Sequence, residues 1–125
     1  MSSAFDQIQL AMPPGEEARA VAFFCGVIGL REEPKPGPLA ERGGCWFASG
    51  CCKLHLGGET DFVAQSKAHP AFLSSEIDAL AARLEAHGHP VCWATEFESR
   101  QRFYSEDPFG NRLEFIRDGD GFSQK

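Results

Sequence analysis

No apolar run in this sequence is long enough to cross a bilayer. The longest uncharged apolar stretch, Ala20 to Leu30, falls far short of the roughly 20 residues that a span needs. Basic charge is also scarce: Lys and Arg total 12 against 18 Asp and Glu, for a net charge of −6. That sign argues against generic binding to nucleic acid or to an anionic membrane, both of which require basic surface. The start, Met1-Ser2-Ser3-Ala4-Phe5-Asp6, has no basic segment leading into an apolar stretch, so no secretory signal is read there. The five cysteines, Cys25, Cys45, Cys51, Cys52 and Cys92, are odd in number. Without an export signal they point to reduced thiols in the cytoplasm and away from a disulfide framework. The vicinal pair Cys51-Cys52 on a strand would send one thiol to each face.

What is present can build a core. The chain is 42% hydrophobic with 11 Phe and 2 Trp, too apolar and aromatic for a disordered segment. At 125 residues it is about one domain, and two full-size domains are excluded. A small molecule is the expected partner.

Alternation of apolar and polar residues from Phe5 to Ala11 predicts a first strand that stops at Met12-Pro13-Pro14-Gly15. Between Gly15 and Val27, Ala18, Val21, Ala22 and Cys25 fall at helical spacing, with Glu16 and Glu17 in the first turn. Arg31 to Gly44 is rich in proline and glycine and reads as a loop with at most a short strand at its start. Cys45 to Ala48 and Cys52 to Leu56 flank Ser49-Gly50 and suggest a hairpin. After a polar stretch reaching about Lys67, the same order of events returns. His69 to Leu73 is a short strand. Ser75 can cap a helix with Ile77, Leu80, Ala81 and Leu84 on one face and Gly88 just past its end. Pro90 to Trp93, Arg102 to Ser105 and Arg112 to Ile116 supply three more strands, the last two joined through Asp107-Pro108-Phe109-Gly110-Asn111. The tail 118–125 is small and polar and reads as flexible.

The expected architecture is therefore α+β: one domain spanning 1–125, made of two βαβββ modules at 4–57 and 66–117. Neither module is large enough to bury much alone, so the two are expected to share a core or pair their sheets. Placed in register, Gln7 on the first strand of one module corresponds to His69 of the other, and His55 on the last strand corresponds to Glu114. A pseudo-twofold relation would gather all four. Two imidazoles, a carboxylate and an amide oxygen form a mixed N/O donor set suited to Zn, Ni, Mn or Fe(II), with positions left for water or substrate. Arg102 and Tyr104 alternate with Phe103 on the strand beside Glu114 and are candidate substrate-binding residues, Arg102 for a substrate anion.

Three features together resemble the vicinal oxygen chelate superfamily, which includes glyoxalase, bleomycin-resistance, fosfomycin-resistance and extradiol dioxygenase proteins. These are the βαβββ duplication, the stretch Phe23-Phe24-x-x-Val27-Ile28-Gly29-Leu30, and Phe103-Tyr104-Ser105-x-Asp107-Pro108-Phe109-Gly110-Asn111-x-x-Glu114-Phe115. The resemblance implies curved mixed sheets with metal ligands on the first and last strands, which here are Gln7, His55, His69 and Glu114. Gln7 stands where members commonly carry His, and His55 where glyoxalases usually carry Glu, which leaves Glu114 the only carboxylate. Two His and one Glu match the donor count of the fosfomycin-resistance and extradiol enzymes, though from different strands. Homodimerisation is a further implication.

Two functions follow as expectations. One is a metal-dependent lyase, isomerase, transferase or dioxygenase that stabilises an oxyanion by Lewis-acid catalysis, with Glu114 as ligand or proton carrier. The other is a metal-free binding or sequestering protein of the bleomycin-resistance type, with an aromatic-lined groove.

Overall fold

A computed structural model describes residues 2–94 and 101–119. The chain divides into two compact units, Met1–Ala64 and Gln65–Lys125. Among the described residues each contains one α-helix and one four-stranded mixed sheet, the βαβββ plan read twice from the sequence. No helix among the described residues is long and apolar enough to cross a membrane.

In unit 1, β1 (Ile8–Met12) leads through α1 (Glu17–Phe24) to β2 (Arg31–Glu33), a 3₁₀ helix (Gly37–Arg42), β3 (Cys45–Ser49) and β4 (Cys52–Gly58). The sheet order is β1-β4-β3-β2, with β1 parallel to β4 and the other pairs antiparallel. A two-residue turn joins β3 to β4, and Gly50 takes the left-handed φ of 58° that this tight connection needs. Gly44 is the second position where only glycine serves. Its φ is 86°, a Cβ there would sit 2.5 Å from the Leu56 carbonyl oxygen, and its N–H donates to Glu17 Oε2 at 2.7 Å. That bond holds the Glu17 carboxyl below its ordinary pKa.

The first strand begins later than the alternation suggests: pairing with β4 starts at Ile8, and Phe5 lies in solvent. The helix also turns a different face inward. Ala20, Phe23, Phe24 and Val27 are buried, while Ala18 and Ala22 are exposed. Both sets have helical spacing, but two phenyl rings bury far more apolar area than two methyl groups, and that difference decides the rotation of the helix. Phe24 packs on Phe47 of β3 with ring centroids 5.4 Å apart. The short strand at Arg31 is present, and the proline-rich segment after it winds into the 3₁₀ helix, whose first turn accepts Pro38 because no internal N–H is needed there.

Unit 2 repeats the order with β5 (Ala71–Ser74), α2 (Ile77–Ala86), β6 (Cys92–Trp93), β7 (Arg102–Glu106) and β8 (Arg112–Arg117). Its sheet order, β5-β8-β7-β6, is that of unit 1, again with the first and last strands parallel. β5 and β6 start after Pro70 and after Pro90 and Val91, because a proline has no N–H to give to the ladder. α2 buries Ile77, Leu80, Ala81 and Leu84, as its spacing predicts. Ser75 does not cap it; Ser74 Oγ accepts the Glu76 N–H at 3.2 Å instead. At the far end Gly88 adopts φ 82°, and His87 Nδ1 lies 2.8 Å from the Arg83 carbonyl. One row of rings crosses the sheet: Phe72 on Phe115, Phe115 on Phe103, and Phe103 on Trp93, at centroid spacings of 5.3, 5.1 and 5.0 Å. The spacing is close to that of adjacent strands, so each ring packs against its register partner.

The turn between β7 and β8 is built on Asp107. Its Oδ1 accepts the N–H groups of Phe109 and Asn111, and its Oδ2 accepts Asn111 Nδ2, each at 2.9 Å. Asn111 Oδ1 in turn accepts the Gln65 N–H at 3.1 Å, so the amide cannot flip without losing a bond. Burial pushes the Asp107 carboxyl up, against the pull of the bonds from Asn111. Beyond β8 the Asp118 N–H donates to the Ser74 carbonyl at 2.8 Å, which ties the start of the expected tail, while residues 120–125 lie outside the described residues.

Two stability measurements test this account. Phe24→Ala is expected to cost about 3–5 kcal/mol in chemical denaturation, and Ala18→Ser less than about 0.5 kcal/mol; the reverse ranking would contradict the assigned helix face. Asp107→Asn sets two amide donors against each other at Asn111 and is expected to cost about 1–3 kcal/mol, so an unchanged midpoint would remove the turn from the account.

Candidate functional site

Because successive strand residues face opposite sides, the aromatic row of unit 2 and Glu114 lie on different faces of its sheet. Glu114 stands opposite Ala71 on β5 and Tyr104 on β7, and is buried to 6% exposure. Such a carboxylate needs partners. His69, two residues before Ala71, places Nε2 at 2.9 Å from Glu114 Oε1, and Arg102, diagonal to Glu114 across β7 and β8, donates from Nη1 to Oε2 at 2.8 Å. Tyr104 meets His69 edge-on with centroids 5.8 Å apart, and the Arg112 guanidinium lies 4.2 Å over the Tyr104 ring. The structure thus gathers four of the six residues singled out from the sequence within unit 2. Arg102, a candidate for a substrate anion, gives a bond to Glu114.

His69 carries a second contact that constrains its chemistry. Nδ1 lies 2.8 Å from the Lys67 carbonyl oxygen, which can only accept, so Nδ1 bears a hydrogen. In the neutral imidazole Nε2 is then the bare nitrogen, yet it faces a carboxylate oxygen. A proton must sit between them, or another cation in its place.

In unit 1 the equivalent face carries Gln9 opposite His55 and His55 opposite Trp46. His55 is buried, and its ring stacks on Trp46 with centroids 4.2 Å apart and planes 7° from parallel. Burial, aided by Lys53 and Lys35, pulls the His55 pKa down against the opposing charges of Asp6 and Glu33, which favours the neutral, metal-competent ring. Gln7 and His55 both line a cavity of about 450 Å³, together with Gln9, Lys35, Leu39, Arg42, Trp46 and the backbone around Gly57. Gln7 is exposed, and it shares the cavity with His55 without a hydrogen bond between them among the described residues.

The registers make the two pairs equivalent. His55 pairs with Gln9 and Glu114 with Ala71; Gln7 and His69 each stand two residues earlier on the same side. Within neither unit do three His, Cys, Asp or Glu side chains of the described residues come together as a metal centre. The donors nevertheless fit a divalent ion. A ligating imidazole usually donates its other N–H to a carbonyl, the arrangement His69 has with Lys67, and a ligating carboxylate is steadied on its second oxygen, as Arg102 steadies Glu114. Gln9, Trp46, Lys35 and Arg42 escaped the sequence reading. For Trp46 and Gln9 the signal was available: the two-residue turn sets Trp46 opposite His55, and Gln9 follows Gln7 at the strand period.

No family model and no curated protein matches the chain. Among solved structures it is similar to a protein from Bacillus anthracis described as of the glyoxalase family, at 41% identity and a TM-score of 0.88 over 94% of this chain and 96% of that one. A lactoylglutathione lyase from Agrobacterium tumefaciens matches at 23% identity and a TM-score of 0.73, over 93% of this chain and 94% of that one. TnmS3, an antibiotic binding protein from Streptomyces sp. CB03234, matches at 19% identity and a TM-score of 0.70, over 94% of this chain and 98% of that one. The last two likenesses show the fold.

The ion pair beneath the cluster makes a prediction of its own. Arg102→Met strips the guanidinium from a buried carboxylate and is expected to cost about 3 kcal/mol, while Arg102→Met with Glu114→Leu is expected to recover most of that loss. Denaturation of the two variants measures it, and a double variant as unstable as the single one would contradict the pairing.

Proposed function

The chain belongs to the glyoxalase family, within the vicinal oxygen chelate superfamily, and on that premise we propose that it is a divalent-metal-dependent enzyme acting on a small oxygenated substrate. The donors in this reading are Gln7 and His55 of unit 1 and His69 and Glu114 of unit 2, and the ion is Zn, Ni, Mn or Fe(II). The observation that carries the reading is the double engagement of His69. Its Nδ1 is fixed on the Lys67 carbonyl and its Nε2 is aimed at Glu114 Oε1, so that one position between them calls for a positive charge.

A bound ion would supply Lewis-acid stabilisation of an oxyanion forming on the substrate. The chain's own residues divide the remaining work. Arg102 holds Glu114 Oε2 and so orients the carboxylate, which leaves Oε1 as the atom that ligates or accepts a proton. Tyr104, packed between His69 and Arg112, walls the same side and is the candidate to contact substrate beside Glu114. His55, pressed flat on Trp46, presents a ring with little freedom to rotate. A homodimer in the cytoplasm is the working form this reading takes.

One observation favours a second reading, a metal-free protein that binds and sequesters a small molecule. The charge of Glu114 is already answered by Arg102, and the unit 1 cavity, walled by Trp46, has the size of a ligand site.

Metal content separates the two. Plasma mass spectrometry of the untagged protein is expected to find close to one ion per chain, lost in both His69→Ala and Glu114→Ala. A parent protein that is metal-free and takes up none of the four ions when they are added would overturn the enzyme reading and leave the sequestering one.

A further inference from the structure

The unit 1 cavity differs in charge from the chain that contains it. The sequence carries a net charge of −6, yet Lys35 and Arg42 line this cavity and no Asp or Glu does. Arg19, Arg31, Arg102 and Arg117 each pair with a carboxylate, whereas Arg42 makes no ion pair among the described residues. Arg42 is the last residue of the 3₁₀ helix, and Lys35 donates from Nζ to the Gly43 carbonyl. That bond links the two sides of the 3₁₀ helix, and both cations line the cavity. An ammonium has three donors, so one bond to a carbonyl leaves it able to meet an anion. Beside them the Trp46 and His55 rings, stacked on each other within 7° of parallel, give the cavity an aromatic wall. Gln7 and Gln9 add amide groups that can donate to a second oxygen.

We infer that this cavity takes a small planar carboxylate, its ring or conjugated plane against the Trp46 wall and its charge on Arg42 and Lys35. Guanidinium matches a carboxylate's two oxygens, and two cations with no Asp or Glu among the lining residues favour anions over neutral molecules of equal shape, against the more distant charges of Asp6 and Glu33. The inference deepens the proposed function and rests on it, because Gln7 and His55 line the same cavity. It names the substrate class as anionic and locates the recognition of its charge on Lys35 and Arg42, outside the donor set.

Calorimetric titration of the protein as purified, with benzoate and with benzamide, tests it. The two probes share a shape and differ in charge. Benzoate is expected to bind at least about tenfold more tightly. Arg42→Gln and Lys35→Gln are each expected to weaken benzoate about fivefold or more while leaving benzamide unchanged. Equal affinities, absent benzoate binding, or variants that keep the full preference would overturn the assignment. Metal content measured on the same samples keeps the two readings apart. Metal-loaded protein without the benzoate preference overturns the carboxylate assignment alone, and a preference that depends on Arg42 and Lys35 in metal-free protein upholds it while removing the metal.

Discussion

The parallel pairing of first and last strands is the constraint on which the rest of each unit depends. Parallel neighbours cannot be joined by a tight turn, so the chain between them must travel, and here it supplies a helix and two further strands on the way. Once β1 lies against β4 and β5 against β8, strand alternation sorts the side chains without further instruction. In unit 2 the aromatic row of Phe72, Phe115, Phe103 and Trp93 takes one face, and His69, Glu114, Tyr104 and Arg102 take the other. A slip of one residue in either register would exchange the two sets, placing charge in the core and rings in the site.

Burying Glu114 is costly unless something answers its charge, and two groups do so in different ways. Arg102 cannot lose its proton and serves as a permanent counter-charge on Oε2. His69 faces Oε1 through Nε2 while its Nδ1 is held on the Lys67 carbonyl. Arg102 makes the carboxylate tolerable to the fold and leaves Oε1 for chemistry. Unit 1 positions a histidine by another route, stacking His55 on Trp46 while burial lowers its pKa.

Much of this was legible in the sequence, for physical reasons that differ by element. The buried face of α2 was readable because Ile77, Leu80 and Leu84 are its only large apolar residues and fall on one side. α1 offered two stripes, and spacing alone could not show that Phe23 and Phe24 outweigh Ala18 and Ala22. The correspondence of Gln7 with His69 and of His55 with Glu114 followed from the repeat, and the strand registers reproduce it. Contacts that depend on the geometry of longer turns and loops were hidden. The Arg102 to Glu114 bond depends on the register set by Asp107 and Asn111, and the cations at the unit 1 cavity depend on a 3₁₀ helix in a segment whose prolines and glycines read as a loop. Side-chain chemistry was therefore visible wherever the strand period carried it, and invisible where turns did.

The central claim is that the position between His69 Nε2 and Glu114 Oε1 belongs to a cation that the protein recruits. Anomalous diffraction from crystals grown with zinc tests it most directly. The account predicts a peak at bonding distance from both atoms, with the His69 Nδ1 bond to the Lys67 carbonyl intact. A zinc-free His69 still hydrogen-bonded to Glu114 in such crystals would contradict it.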